Sequence, residues 1–166
     1  SALRQTFKAG GARNVDENLS DIKAQIAANQ KGATLIEAAE HYYGGDVLYA
    51  YMTHIQAVSA AAVRQKIRAL AASPQPSRLH ARDRMDDGNE IDLRLTLDPE
   101  SGSAVFDFTH SADQSPSNQN APFSVTYSAV IYALRSLIDE PLPLNGGFLA
   151  PVTILLREGS LLHPDK

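Results

Sequence analysis

The chain contains no cysteine, only two methionines, and no uninterrupted apolar run of any length. Without cysteine there can be no disulfide, no thiolate zinc site and no cysteine nucleophile. No apolar stretch approaches the ~20 residues needed to cross a bilayer, and no signal peptide opens the chain. These absences predict no membrane partner and fit a cytoplasmic protein. Excess positive charge is also missing: 15 Lys and Arg stand against 19 Asp and Glu, for a net charge of −4. Phosphate backbones favour net basic surfaces, so nucleic acid is not expected as a partner. The glycine pairs Gly10-Gly11, Gly44-Gly45 and Gly146-Gly147 match no phosphate-loop pattern, so no nucleotide site is expected within the chain. His41, His54, His80, His110 and His163 occur singly, without the spacing of a HExxH-type metal site. What remains is an ordinary globular composition: 43% hydrophobic and 20% charged residues over 166 positions, enough for a real core.

The order of patterns predicts an α+β fold in which helices come first and strands follow. Residues 1–13 are basic and glycine-containing and read as a lead-in without firm structure. Asn14 and Glu17 form a capping box ahead of Leu19, Ile22 and Ile26 at helical spacing, and Gly32 is expected to end that helix. A second helix carries Leu35, Ile36, Ala39 and Tyr43 on its inward side and ends at Gly44-Gly45. Asp46 opens a third, longer helix that reaches about Ala72. Ser73-Pro74-Gln75-Pro76 then closes a helical region over residues 14–73.

From residue 77 to 166 the period changes. Leu79, Ala81 and Met85 oppose Arg78, His80, Arg82 and Arg84 on a first strand, and Asp87-Gly88 signals a turn. Ile91, Leu93, Leu95 and Leu97 alternate with Glu90, Asp92, Arg94 and Thr96, the mark of a strand with one face to water. A third strand, from Ala104 to Phe108, completes an antiparallel meander. The arginine stripe reads either as an anion site or as cross-strand partners for Glu90 and Asp92. Val125, Tyr127, Val130, Ile131, Leu134 and Ile138 then describe a helix apolar nearly all round, expected to be buried. Val152 to Leu156 is a returning strand. The chain stops at Leu161–Lys166 without a closing element, which predicts an internal fragment of a larger chain.

Between the third strand and the apolar helix lies a polar loop, residues 109–122, dense in Asp113, Gln114, Ser115, Ser117, Asn118, Gln119 and Asn120. Binding groups concentrate on loops carried by rigid elements. Two amides near a helix start, Asn118 and Asn120, can hold a carbonyl or carboxylate; equally, they can cap the helix or bond the loop's own backbone. His110, three residues from both Asp107 and Asp113, is a weak candidate for a metal ligand or general base.

Several segments, in this order and spacing, resemble the B-type subunit of the hydantoinase/5-oxoprolinase family. They are residues 19–29, Asp86-Asp87-Gly88, Asp107-Phe108-Thr109, Asn118-Gln119-Asn120-Ala121-Pro122, residues 128–135, Asn145-Gly146-Gly147 through Pro151, and residues 158–164. The chain departs from the pattern at Ser20, at His110 and at His163. The resemblance implies a fragment of an ATP-dependent hydrolase that opens a hydantoin or 5-oxoproline ring, inactive by itself. It implies ATP and a divalent metal for the parent assembly, neither held by this fragment, and an A-type subunit or region as partner, with a cyclic amide as small-molecule substrate. Asp107, Thr109, Gln114, Asn118, Asn120 and Asn145 are the positions it suggests as lining a substrate site; no catalytic residue is assigned. The alternatives are a subunit of an ATP-dependent ketone carboxylase, or a structural module that holds an assembly together.

Overall fold

A computed structural model describes residues 2–74, 77–116 and 118–165. Gln75 and Pro76 of the expected breakpoint, Ser117 of the polar loop and Lys166 lie outside the described residues. The chain divides into two compact units, Ser1–Tyr51 and Met52–Lys166.

The first unit is helical. Residues 2–9, expected to lack firm structure, form helix α1 (Ala2–Ala9), which packs against α2 (Val15–Tyr43) and joins it through an Arg4–Asp16 ion pair. Asn14 caps α2 as the sequence implied, its side chain accepting from the Glu17 amide. Gly32 does not end the helix: α2 runs through it for 29 residues. A helical glycine costs only ~1 kcal/mol relative to alanine, and strong helix formers flank this one. The Thr34 hydroxyl donates to the Gln30 carbonyl across the same turn (3.1 Å). The actual stop is Gly44, whose φ of +84° suits glycine and turns the chain into α3 (Gly45–Ala71). Leu35, Ile36 and Tyr43, expected to face inward, are exposed.

In the second unit the meander forms as its alternation dictates. Strands β1 (Arg78–Arg84), β2 (Glu90–Asp98) and β3 (Ser103–Asp107) pair antiparallel in sequence order. Gly88 and Gly102 make the turns with φ of +87° and +66°. The chain then crosses through α4 (Phe123–Ser136) and a 3-10 turn (Gly146–Leu149), so that β4 (Val152–Leu155) lies parallel to β3. A parallel return needs such a crossover, because a tight hairpin cannot reverse direction twice.

One sheet face packs Leu97, Ala104 and Phe106 against Val63 and Ile67 of α3, Val130 and Leu134 of α4, and Phe148 of the 3-10 turn. Helix α4 is not buried on all sides, as its composition suggested. It buries Thr126, Val130 and Leu134 along one stripe and exposes Phe123, Val125 and Tyr132 on the other. No helix among the described residues is long and apolar enough to cross a membrane.

The other sheet face is polar and carries a charge network. Cross-strand register sets Arg82 opposite Asp92 and His80 opposite Arg94. Asp92, expected to face water, is only 1% exposed. His80 Nε2 and Arg82 Nε both donate to its Oδ2 at 2.8 and 2.7 Å, Arg94 stands 3.4 Å from Oδ1, and the Ser111 hydroxyl accepts from its backbone N–H. The hydrogen bond from His80 first, and that from Arg82 after it, hold the Asp92 carboxyl at about 2, against the opposing effect of burial. A folded-state value below the unfolded 3.8 means a stabilising contribution that is complete above pH 3.8 and lost as pH falls through about 2. The expected result is that Asp92→Asn lowers the melting temperature at neutral pH, with the gap to wild type narrowing through that acid window. A gap independent of pH would remove the charge from this account.

Candidate functional site

The central loop gathers several polar groups, and its geometry is set by distant residues. At the end of β3, Asp107 Oδ1 accepts from the Thr109 amide (2.9 Å) and hydroxyl (2.6 Å). That hydroxyl is the main cause holding the Asp107 carboxyl below the usual carboxylate range. Thr109 Oγ1 also lies 3.2 Å from His110 Nδ1 on an exposed ring. Beyond this turn the loop is fastened to the C-terminal segment. Arg157 donates to the carbonyls of Thr109 (3.2 Å) and Ser111 (2.9 Å) and pairs with Asp113 at 2.8 Å. Gln114 accepts from the Asp165 amide through its side chain (2.6 Å) and donates through its own amide to Gly159 (2.9 Å). Ala112 and Ala121 exchange backbone hydrogen bonds with Leu161.

The two asparagines behave differently. Asn120 accepts from the Ser115 amide (2.8 Å) and donates to the Ser115 carbonyl (2.6 Å), closing the loop on its own backbone. Asn118 is exposed on the loop surface. Neither caps α4, whose N-cap position is Pro122 with no side-chain cap. Asn145 sits at a separate place. Its Oδ1 accepts from Gly147 (2.8 Å), and its Nδ2 donates to the buried Ser59 of α3 (3.0 Å) and to the Pro143 carbonyl.

Of the positions singled out from sequence, Asp107 and Thr109 are thus brought into contact, Gln114 and Asn120 brace the same loop, Asn118 stands at its surface, and Asn145 joins the 3-10 turn to α3. Asp107 also lines a cleft of about 390 Å³ on the polar sheet face, with Arg78, His80, Arg94 and Thr96. Among the described residues no group of three or more His, Asp or Glu is placed to hold a metal ion, and His110 gathers no such set. Sequence reasoning missed Arg157 and Ser111. Neither belongs to a local pattern; their partners lie 46 and 19 residues away, and only the folded register brings them in.

A helical lead-in, a three-stranded meander and a helical crossover to a parallel fourth strand define an α+β module, and this module recurs in a solved enzyme. It matches the crystal structure of an ATP-dependent caprolactamase from Pseudomonas jessenii with a TM-score of 0.69 at 22% identity, over 93% of this chain and 26% of that one. Residues 2–166 match the sequence profile of the hydantoinase B/oxoprolinase family. A 5-oxoprolinase from Dictyostelium discoideum is 44% identical over 99% of the chain, and 5-oxoprolinase 1 from Arabidopsis thaliana is 42% identical over all of it. The chain belongs to the hydantoinase B/oxoprolinase family. It spans 13% and 14% of the length of those two relatives.

Proposed function

We propose that the chain is one segment of an ATP-dependent hydrolase that opens a cyclic amide of the hydantoin or 5-oxoproline type. The observation that supports this most is the match over nearly the whole chain to 5-oxoprolinases, on a fold shared with a lactam-opening enzyme. The segment's contribution is positional. Arg157, Gln114 and Asn120 brace the loop at Thr109, Ser111, Gln114 and Ser115, so that donors and acceptors there are set before substrate arrives. Preorganised dipoles of this kind stabilise charge that develops on a carbonyl oxygen under attack. ATP, when bound in the parent assembly, would supply activation of the amide oxygen and leave the ring carbon open to water. ATP and a divalent metal are assigned to the parent assembly, which includes an A-type partner.

The test is ATP consumption by the full-length parent with its A-type partner, offered 5-oxoproline, a hydantoin, or acetone with bicarbonate. Coupling to a ring substrate supports the hydrolase; coupling only to the ketone moves the parent to carboxylation. Within the same assay Asn120→Ala is expected to lower turnover by roughly 100-fold, since releasing Ser115 displaces the loop by the order of an ångström. Subunit association should stay intact. If association fails instead, the segment is an assembly module.

A further inference from the structure

The arginine stripe on the polar sheet face has two unlike ends. Near the Gly88 turn, Arg82 and Arg84 pair across the strands with Glu90 and Asp92 at distances from 2.7 to 3.6 Å. Their charges are met. At the other end, Arg78 lies opposite Thr96 in register, and neither side chain has a hydrogen bond or ion pair among the described residues. Arg94 stands between two acids and hydrogen-bonds neither. Asp92 Oδ1, 3.4 Å away, accepts no hydrogen bond; those of His80 and Arg82 go to Oδ2. Asp107, directly opposite Arg94 on β3, turns its Oδ1 to Thr109 instead.

These groups line one cleft, the space of about 390 Å³ that ends at the head of the polar loop. Arg78, Arg94 and Thr96 are all exposed, so a ligand can reach their polar atoms. Neighbouring like charges on one sheet face are unfavourable unless something between them is negative. A guanidinium offers its N–H donors in a fixed fork that matches a carboxylate. Asp107 at the opposite side sets the rest of the requirement. Its Oδ2 has no partner among the described residues and can accept from an N–H, whereas a doubly charged phosphate would be repelled by it.

We propose that Arg78 and Arg94 hold a carboxylate carried by the ring of the cyclic amide. The Thr96 hydroxyl donates to the same carboxylate, and Asp107 Oδ2 accepts from the ring N–H. This inference rests on the reading of the parent as a cyclic-amide hydrolase and assigns the residues that select a carboxylated ring.

The experiment is calorimetric titration of 5-oxoproline, and of 2-pyrrolidinone as the same ring without its carboxylate, into the full-length parent without ATP. Wild type should bind 5-oxoproline at least about tenfold more tightly, the worth of one charge-assisted pair. In the double variant Arg78→Gln, Arg94→Gln that preference should vanish, with 2-pyrrolidinone affinity and melting temperature unchanged. A merely structural role for the arginines would weaken both ligands alike. No binding of 5-oxoproline to wild type, no preference for it, or a preference that survives in the double variant overturns the proposal. The two readings fail separately. Arginine-dependent binding in a parent that couples ATP to no ring substrate would remove the hydrolase and keep the cleft. Turnover of 5-oxoproline with an unchanged KM in the double variant would do the reverse.

Discussion

Gly147→Ala is expected to destabilise the second unit by more than about 4 kcal/mol, the range reserved for a substitution with no room to relax. A Cβ on Gly147 would stand 2.1 Å from the Gln56 carbonyl oxygen and 2.9 Å from Asn145 Oδ1. The first of these is helix backbone, which cannot rotate aside as a side chain does. Here the 3-10 turn lies against α3, and Asn145 fixes the approach by bonding Gly147 on one side and Ser59 on the other. Backbone crowding of this degree forces the two elements apart and opens the core around Phe148. The neighbouring glycine is the control: a Cβ on Gly146 meets nothing within 4 Å. Gly146→Ala should therefore stay within about 0.5 kcal/mol of wild type. Urea unfolding of both variants decides the matter, and similar midpoints would refute the contact between turn and helix.

That pair of glycines also shows what a sequence can carry. Asn145-Gly146-Gly147 is recognisable as an irregular segment, yet nothing local distinguishes the glycine that touches α3 from the one that touches nothing. The meander was legible because a strand repeats every two residues, and Asp87-Gly88 marks its turn without reference to the rest of the chain. The Asn14 cap was legible for the same reason, being complete within four residues. Gly32 misled because a single breaker is outweighed by the helix around it. Asp92 misled differently. Alternation put it correctly on the polar face, but its burial depends on His80 and Arg82 from β1 and on Ser111 from the loop. In the candidate site, residue types pointed to the 109–122 loop, whereas the residues that hold it, Arg157 above all, act from the far end of the chain.

Phe148→Ala carries the second large effect, a loss of about 3–5 kcal/mol, as for other aromatic deletions in packed cores. Phe148 is 0% exposed and clusters with Val130 and Leu134 of α4 and Phe106 of β3. Alanine there would leave a cavity walled by α4 and the sheet, two elements whose backbones are each fixed by their own hydrogen bonds and cannot close it. Tyr132 makes the opposite case. It is as large and lies on α4 itself, but it is 78% exposed, on the stripe the sheet does not cover. Tyr132→Ala should change stability by no more than about 0.5 kcal/mol. Composition made α4 look uniformly buried; the packing gives it one inward stripe and one outward one. Denaturant unfolding of the two variants separates these descriptions, because comparable losses at Phe148 and Tyr132 would mean that α4 is covered on both sides in solution.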